Sequence, residues 1–493
     1  MGAEIVGVAF AFALGWLCLR LFAPTTGYAF VAAAAFPMGT AIWVVACAAL
    51  LAAMVPFNPV AGGLFAASVV GVVNIPWGRR PTRHEFLAFA IGGALILVLA
   101  AAFAKFEWSI FNSDAVWTFY MADDLIGRGF ISDGMRKTQL GADPIYLPLV
   151  SAYARWMGEA YFVSLSPLML TCCGVLFAVL GMRAAAPSDA PAPDDRIWIP
   201  VLGAVALMTT GFYVNNALQV KAHAMYALHM LGACAALYFA GREGRSAWFV
   251  LALLFAAPMV LFRLESGVSA LPILVVAVAI STIPLGLRLW GVGIVAVAWG
   301  LSYLYLLGAT TYYLGGFERG LVSKKLFLIG VTPGLFGSVL LLAAMVVRHG
   351  RHHELSNRLV SWLPSAMIAA LGALLIGHAF AWPETFRESM RGFLSIFAEP
   401  SMGGIGYGAA VLVLLPLSLI LRPRVPWVWT VMVPAVSYLI ILVLADVHLD
   451  GMPHWGPTGA LTRIFSHVLP TLFFYVLLRL VAPSRAKAIR LHQ

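Results

Sequence analysis

The densest collection of groups able to do chemistry lies between residues 105 and 160. Asp114 follows an apolar run in the segment Phe111-Asn112-Ser113-Asp114-Ala115-Val116-Trp117-Thr118-Phe119-Tyr120, and Asp123, Asp124, Asp133 and Asp143 come after it, interleaved with Arg128, Arg136 and Lys137. A carboxylate at a membrane–water boundary is partly desolvated and can accept a proton from a hydroxyl, while cations beside it can hold a phosphate. The plainer reading is that such acids solvate a loop. That reading weighs more for Asp123, Asp124 and Asp133 than for Asp114.

Other charged groups gather in short segments. Arg263 and Glu265 stand between two apolar runs with almost no loop, where ionised groups are costly unless paired or functional. Lys221 and His223 sit beside Asn215, Asn216 and Gln219; the lysine is either a phosphate contact or a snorkelling side chain. Lys324 and Lys325 close a loop at 309–325 that also carries Glu318 and Arg319. Glu384, Arg387, Glu388 and Arg391 recur at three- and four-residue spacing, the mark of a solvated amphipathic turn. His448, Asp450 and His454 offer three metal-ligand types, but their spacing matches no recognised ligand set, and Gly451 and Pro453 interrupt any helical register. No metal site is assigned, and a hydrogen-bonding or capping role is expected for this loop.

The elements that must position these groups are membrane helices. Of 493 residues, 62% are hydrophobic and only 11% charged, too few for a water-soluble surface. Apolar runs of spanning length fall at about fifteen places: 5–23, 28–54, 60–76, 87–104, 161–182, 198–214, 222–240, 247–262, 266–284, 290–308, 326–347, 360–381, 402–421, 427–445 and 466–482. The run 28–54 is one tilted helix or a pair broken around Pro37 and Gly39. The first run reads as a retained helix rather than a cleaved leader. No dyad alternation of a porin-like barrel is present, so the class is all-α.

The net charge of +10 is distributed as short basic turns, not as a nucleic-acid surface. With the C-terminal tail (Arg485, Lys487, Arg490) in the cytoplasm, the same side receives Arg422 and Arg424, Arg348 to Arg358, Arg288, Arg242 and Arg245, Arg183 and Arg196, and Arg79 to Arg83. His349, His352 and His353 join this basic side. The opposite side receives 105–160, 309–325, 382–401 and 446–465. In the first of these, Trp117, Tyr120, Met121, Leu125 and Ile126 recur at helical spacing, so interfacial helices are expected. The five cysteines lie mostly in apolar runs and make no disulfide framework.

One order of motifs stands out: Asp114 after a span, Tyr120, Asp124-Leu125-Ile126-Gly127-Arg128-Gly129, Asp143-Pro144-Ile145-Tyr146-Leu147-Pro148-Leu149, then Trp156-Met157-Gly158 and a new span. This resembles the first external loop of the GT-C superfamily of polytopic glycosyltransferases. Arg242-Glu243-Gly244-Arg245 and Phe262-Arg263-Leu264-Glu265-Ser266 resemble a later basic turn and a charged element of that family, over about residues 87–285. Ala115 stands where many members carry a second acid, and about three spans precede the matching helix; the second acid is then Asp124 or lies elsewhere.

The resemblance implies an all-α, GT-C-like bundle of about 14–16 transmembrane helices: additional helices in 1–86, a core in 87–285, and C-terminal helices in 286–493. It implies transfer of a sugar from a polyprenyl-phosphate carrier to an extracytoplasmic glycan, lipid or protein acceptor at the periplasmic face of a bacterial cytoplasmic membrane. Asp114 is the expected base, with Asp124 beside it. Arg263, Lys221, Lys324 and Lys325 are expected on the donor phosphate, and Glu265, Tyr146, His448, Asp450 and His454 in support. No cofactor is assigned, the acids being compatible with catalysis with or without a divalent cation; membrane lipids are the other partner. The alternatives are a transporter or lipid flippase, which predicts broken helices with polar residues at the midplane, and a polysaccharide polymerase or ligase of another polytopic fold.

Overall fold

The computed structural model describes residues 2–53, 55–74, 82–106, 113–129, 149–150, 164–186, 194–219, 222–262, 266–313, 320–349, 353–398, 425–447 and 464–481. In chain order the helices are α1 (Gly2–Leu19), α2 (Tyr28–Ala52), α3 (Pro59–Asn74), α4 (Arg83–Phe106), α5 (Ser113–Arg128), α6 (Leu165–Ala185), α7 (Asp194–Met208), α8 (Gly211–Leu218), α9 (His223–Glu243) and α10 (Ser246–Ala256). They continue as α11 (Met259–Phe262), α12 (Ser266–Ser269), α13 (Leu271–Ala279), α14 (Leu285–Tyr313), α15 (Gly320–His349), α16 (His353–Ala381), α17 (Pro383–Ala398), α18 (Trp429–Val447) and α19 (Leu469–Val481). No strand occurs among the described residues.

Among the described residues, seven segments are helices long and apolar enough to cross a membrane, and seven shorter apolar ones of 10–17 residues accompany them. The chain is a multi-pass helical membrane protein. Each apolar run read from the sequence falls on one of these fourteen segments, except 402–421, which lies outside the described residues. The run 28–54 is a single helix with Pro37 inside it.

Three runs are broken where local chemistry competes with the helical ladder. Between α7 and α8, Thr209 Oγ1 donates to the Val205 carbonyl (2.8 Å) and Thr210 Oγ1 to that of Ala206 (2.9 Å), offering the backbone an alternative to helix. Between α10 and α11, Pro258 brings no N–H to the Leu254 carbonyl, the Leu261 N–H turns to the Pro258 carbonyl (3.0 Å), and the Ala257 carbonyl accepts from the Trp299 indole N–H at 3.0 Å. Between α12 and α13 the chain turns at Ala270, with Pro272 in the first turn of α13.

Packing is closest where α1 crosses α2. A Cβ added at Gly39 would lie 1.7 Å from the Ala11 carbonyl oxygen, and one at Gly15 would lie 1.8 Å from that of Ala35. Only glycine permits two backbones to approach so closely, which is how membrane helices gain contact without a hydrophobic drive. Deeper in the bundle Trp248 is fully buried, stacked on Phe239 (4.8 Å between centroids) with Phe30 edge-on at 5.4 Å, so that α2, α9 and α10 share one aromatic junction.

The two ends of the bundle differ in chemistry. At one end Arg183 makes a two-pronged pair with Glu243 (3.1 and 3.0 Å), and Trp248 Nε1 donates to the same carboxylate at 2.9 Å. Arg242 donates to the carbonyls of Ala184 (3.0 Å) and Ala186, Thr282 Oγ1 to that of Ala240 (3.1 Å), and buried Arg288 to that of Val278 (2.5 Å) and to Asn357 Oδ1. These contacts close the carbonyl ends of α6, α9 and α13, where unpaired acceptors and the negative end of the helix dipole favour cations. Three of the basic turns grouped on one side by the charge pattern, those of Arg183, Arg242 and Arg288, thus meet at one end.

At the other end the Ser164 N–H donates to Glu4 Oε1 at 2.5 Å, so α1 and α6 begin together. The Phe57 N–H donates to the Gly129 carbonyl at 2.7 Å, fixing the close of α5 on the α2–α3 connection. Met121, Ala122 and Leu125 of α5 are buried, whereas Tyr120, expected on the same face, is exposed: at one residue before Met121 it is carried about 100° around the helix.

Candidate functional site

A buried polar network occupies the end at which α9 begins. His223 Nδ1 lies 2.7 Å from His467 Nε2, and His467 Nδ1 lies 2.8 Å from the Tyr438 hydroxyl. The Tyr438 hydroxyl also reaches the Ile464 carbonyl at 3.3 Å. Tyr226 covers the His467 ring with 4.6 Å between centroids, and its hydroxyl shares a 2.9 Å hydrogen bond with Ser269 Oγ. Beside it, Ser166 Oγ donates to the Gln219 carbonyl at 2.9 Å, and Gln219 Nε2 to Asn216 Oδ1 at 3.3 Å.

The local sequence explains why these groups converge. In α9, His223, Tyr226 and His229 are spaced by three and lie along one side, and the helix is buried on every side through its first five turns. A polar atom in that setting must find a partner inside the protein. His229 donates from Nδ1 to the Met225 carbonyl (3.0 Å) and packs against the rings of Phe255 and Phe262. His467 is presented by the turn that leads into α19, Tyr438 by the middle of α18 and Ser269 by the last residue of α12. Imidazoles and phenols so arranged can hold and pass a proton, and can hydrogen-bond hydroxyl-bearing ligands.

The residues expected at a site are distributed unevenly. Asp114 is the second residue of α5. Asp124 pairs with Arg128 one turn on (3.7 Å). The two acids are ten residues apart on one helix, about 15 Å along its axis, so they do not form a carboxylate pair. Lys324 and Lys325 fall within α15, which begins at Gly320, rather than in a loop. Lys221, Arg263, Glu265, Tyr146, His448, Asp450 and His454 lie outside the described residues. The Tyr226–Ser269 bond joins α9, whose first residue is two positions after Lys221 in the sequence, to α12, whose first residue follows Glu265. Among the described residues no group of three His, Cys, Asp or Glu side chains is placed to hold a metal ion.

No family model matches the chain, nor does any curated protein or solved structure. Its chemistry is therefore read from its own residues.

His223 was visible in the sequence beside Asn216 and Gln219, whereas His467, Tyr438, Tyr226 and His229 were not singled out. The signal was present for the histidines: an ionisable residue inside an apolar run is a functional candidate by position alone. The segment 382–401 keeps its expected solvated face, with Glu384, Arg387, Glu388 and Arg391 exposed. It is nonetheless a full helix, α17, which buries Ser389 and sets Phe393 edge-on against Phe465, two residues before His467.

Proposed function

We propose that the protein is a GT-C-like membrane glycosyltransferase of 14–16 spans that moves a sugar from a polyprenyl-phosphate carrier to an acceptor outside the cytoplasm, with Asp114 as general base. The observation that supports this reading is that His223, Tyr226 and His467 lie at the end of the bundle where α9 begins, opposite the turns of Arg183, Arg242 and Arg288, with Tyr438 joining them from the middle of α18. His223 and Tyr226 occupy the first turn of α9, and His467 precedes α19. Basic turns favour the cytoplasm, which directs the polar end outward. There α5 carries Asp114 in its first turn and is fastened to the α2–α3 connection through Gly129. An acid on a partly buried helix at the headgroup level is suited to meet a lipid-linked donor and a water-borne acceptor together.

The test is Asp114→Asn, which keeps size and hydrogen-bonding shape while removing the base. In membranes supplied with a panel of radiolabelled polyprenyl-phosphate sugars, transfer falls by about 100-fold or more, as for loss of a general base, with unchanged protein yield and unfolding midpoint. Transfer at the wild-type rate removes Asp114 from the role.

A transporter or flippase is the second reading, and a specific observation favours it: helices break at Thr209–Thr210, Ala257–Pro258 and Ala270, on elements that flank the network. Flux of a labelled polyprenyl-phosphate sugar across proteoliposomes, undiminished by Asp114→Asn, selects that reading over the first.

A further inference from the structure

We infer that the end of the bundle where the turns of Arg183, Arg242 and Arg288 meet holds a site for the phosphate of an anionic phospholipid. Arg245 is its principal contact, with Arg183 beside it. The inference does not depend on whether the chain transfers or transports a sugar.

It starts from how the guanidinium groups at this end are employed. Arg242 donates to the carbonyls of Ala184 (3.0 Å) and Ala186, and Arg288 to the Val278 carbonyl (2.5 Å) and to Asn357 Oδ1. Both thus serve neutral acceptors. The carboxylate of Glu243 is already engaged on both oxygens. Oε1 accepts from Arg183 Nε (3.1 Å), and Oε2 accepts from Arg183 Nη2 (3.0 Å) and from the Trp248 indole (2.9 Å). Arg245 Nε therefore stands 4.0 Å from that same Oε2, beyond hydrogen-bond reach, with its side chain 48% exposed. Among the described residues its guanidinium makes no hydrogen bond, so its five N–H donors face outward.

Four arginines thus gather around one acid. A guanidinium does not lose its proton in a protein, so titration cannot remove the surplus charge. An anion from outside the chain can. Arg183 and Arg245 approach one Glu243 oxygen, at 3.0 and 4.0 Å, which places both within reach of a single phosphate.

The position of Arg245 selects the anion. Gly244, at φ +65°, ends α9 in a left-handed turn and sets Arg245 at the head of α10. Phe249 lies one turn further along α10, about 6 Å along the axis. At that depth α10 packs on α14, where a Cβ added at Gly291 would lie 2.6 Å from Leu253 and 3.4 Å from Phe249. Next to Gly291, Trp290 is exposed, and Leu287 and Ile294 are exposed about one turn to either side of it. An exposed tryptophan at the head of an apolar stripe marks the headgroup level of a membrane helix. The guanidinium of Arg245 belongs just outside that level, where lipid phosphates lie, and the stripe of α14 takes the acyl chains. A free phosphate would gain nothing from the stripe, so the lipid is the occupant.

The experiment is native mass spectrometry of the full chain, released from micelles containing phosphatidylglycerol or phosphatidylcholine with the same acyl chains. The wild-type protein is expected to retain phosphatidylglycerol in preference to phosphatidylcholine. Arg245→Gln weakens phosphatidylglycerol retention by about tenfold, the value of a hydrogen bond to a charged group, and leaves phosphatidylcholine retention and the unfolding midpoint unchanged. Arg358→Gln, which removes an exposed arginine from α16 outside this cluster, leaves both lipids unaffected. Equal retention of the two lipids, wild-type affinity in Arg245→Gln, or an equal loss in Arg358→Gln overturns the inference; the last reduces it to diffuse attraction by a basic face. Displacement of phosphatidylglycerol by inorganic phosphate at matched ionic strength also overturns it, assigning the arginines to a free oxyanion. Should Arg245→Gln not fold, Arg245→Lys takes its place: it keeps the charge without the five-donor fork and weakens retention, and equality with wild type overturns the site.

Discussion

Replacing Gly39 by alanine puts a methyl carbon 1.7 Å from the Ala11 carbonyl oxygen and 2.7 Å from the Gly15 nitrogen, both of them backbone. Backbone cannot swing aside as a side chain can, so α1 and α2 must part. Real Cβ contacts essentially never fall below 3.0 Å, so relief from 1.7 Å requires a separation of about 1.3 Å. A gap of that size forfeits half or more of the dispersion energy at the crossing. A cost of about 3 kcal/mol follows, the upper end of ordinary overpacking. Alanine favours helix over glycine by about 1 kcal/mol, which leaves a net loss of about 2 kcal/mol. Gly15→Ala meets the Ala35 carbonyl at 1.8 Å and predicts the same loss. Both methyl groups open one crossing, so the double variant loses little more than either single, with a coupling of about 1–2 kcal/mol. Denaturant-induced unfolding in bicelles, followed by circular dichroism, measures all three variants. A single variant as stable as wild type, or strict additivity, refutes the geometry of the crossing.

Glu243→Gln leaves Arg183 facing a neutral group and weakens the bond from Trp248; a loss of about 3 kcal/mol is expected in the same unfolding assay, as for breaking a largely buried pair. Unchanged stability would show the pair to be a surface contact. Sidedness is checked with single cysteines on a cysteine-free background, placed at Arg245 and at Arg128. A membrane-impermeant maleimide applied to intact cells labels the Arg128→Cys variant and spares Arg245→Cys; the reverse pattern inverts the bundle.

The sequence made the bundle legible because apolar runs and basic turns are signals that add along the chain. Arg183, Arg242 and Arg288 were placed on one side by charge alone, and their contacts with Glu243, Ala184 and Asn357 bring those turns to one end. Broken helices were harder to read. Thr209 and Thr210 look apolar enough to continue a span, and only their back-bonds to Val205 and Ala206 reveal the stop. The start of α4 was placed four residues late because Thr82 and Glu85 cap it reciprocally, the Thr82 N–H donating to Glu85 (2.8 Å) and the Glu85 N–H to Thr82 (3.2 Å). The histidine network was the least legible part. His223 and His467 are 244 residues apart, and nothing in either neighbourhood names the other as its partner.

The bond between Glu4 and the Ser164 N–H also bears on how the chain is made. The two residues are 160 positions apart. At elongation rates of about 5–20 residues per second, Glu4 is synthesised roughly 8–32 s before its partner exists. During that interval a carboxyl group at the head of the first helix has no permanent donor. It must be held by the insertion machinery, by interfacial water or by lipid headgroups, since hydrocarbon would charge several kcal/mol for it. The arrival of α6 then releases it into the bundle, which makes this contact a checkpoint in assembly: the first helix takes its final seat only once α6, the fourth of the long apolar segments, has entered the membrane.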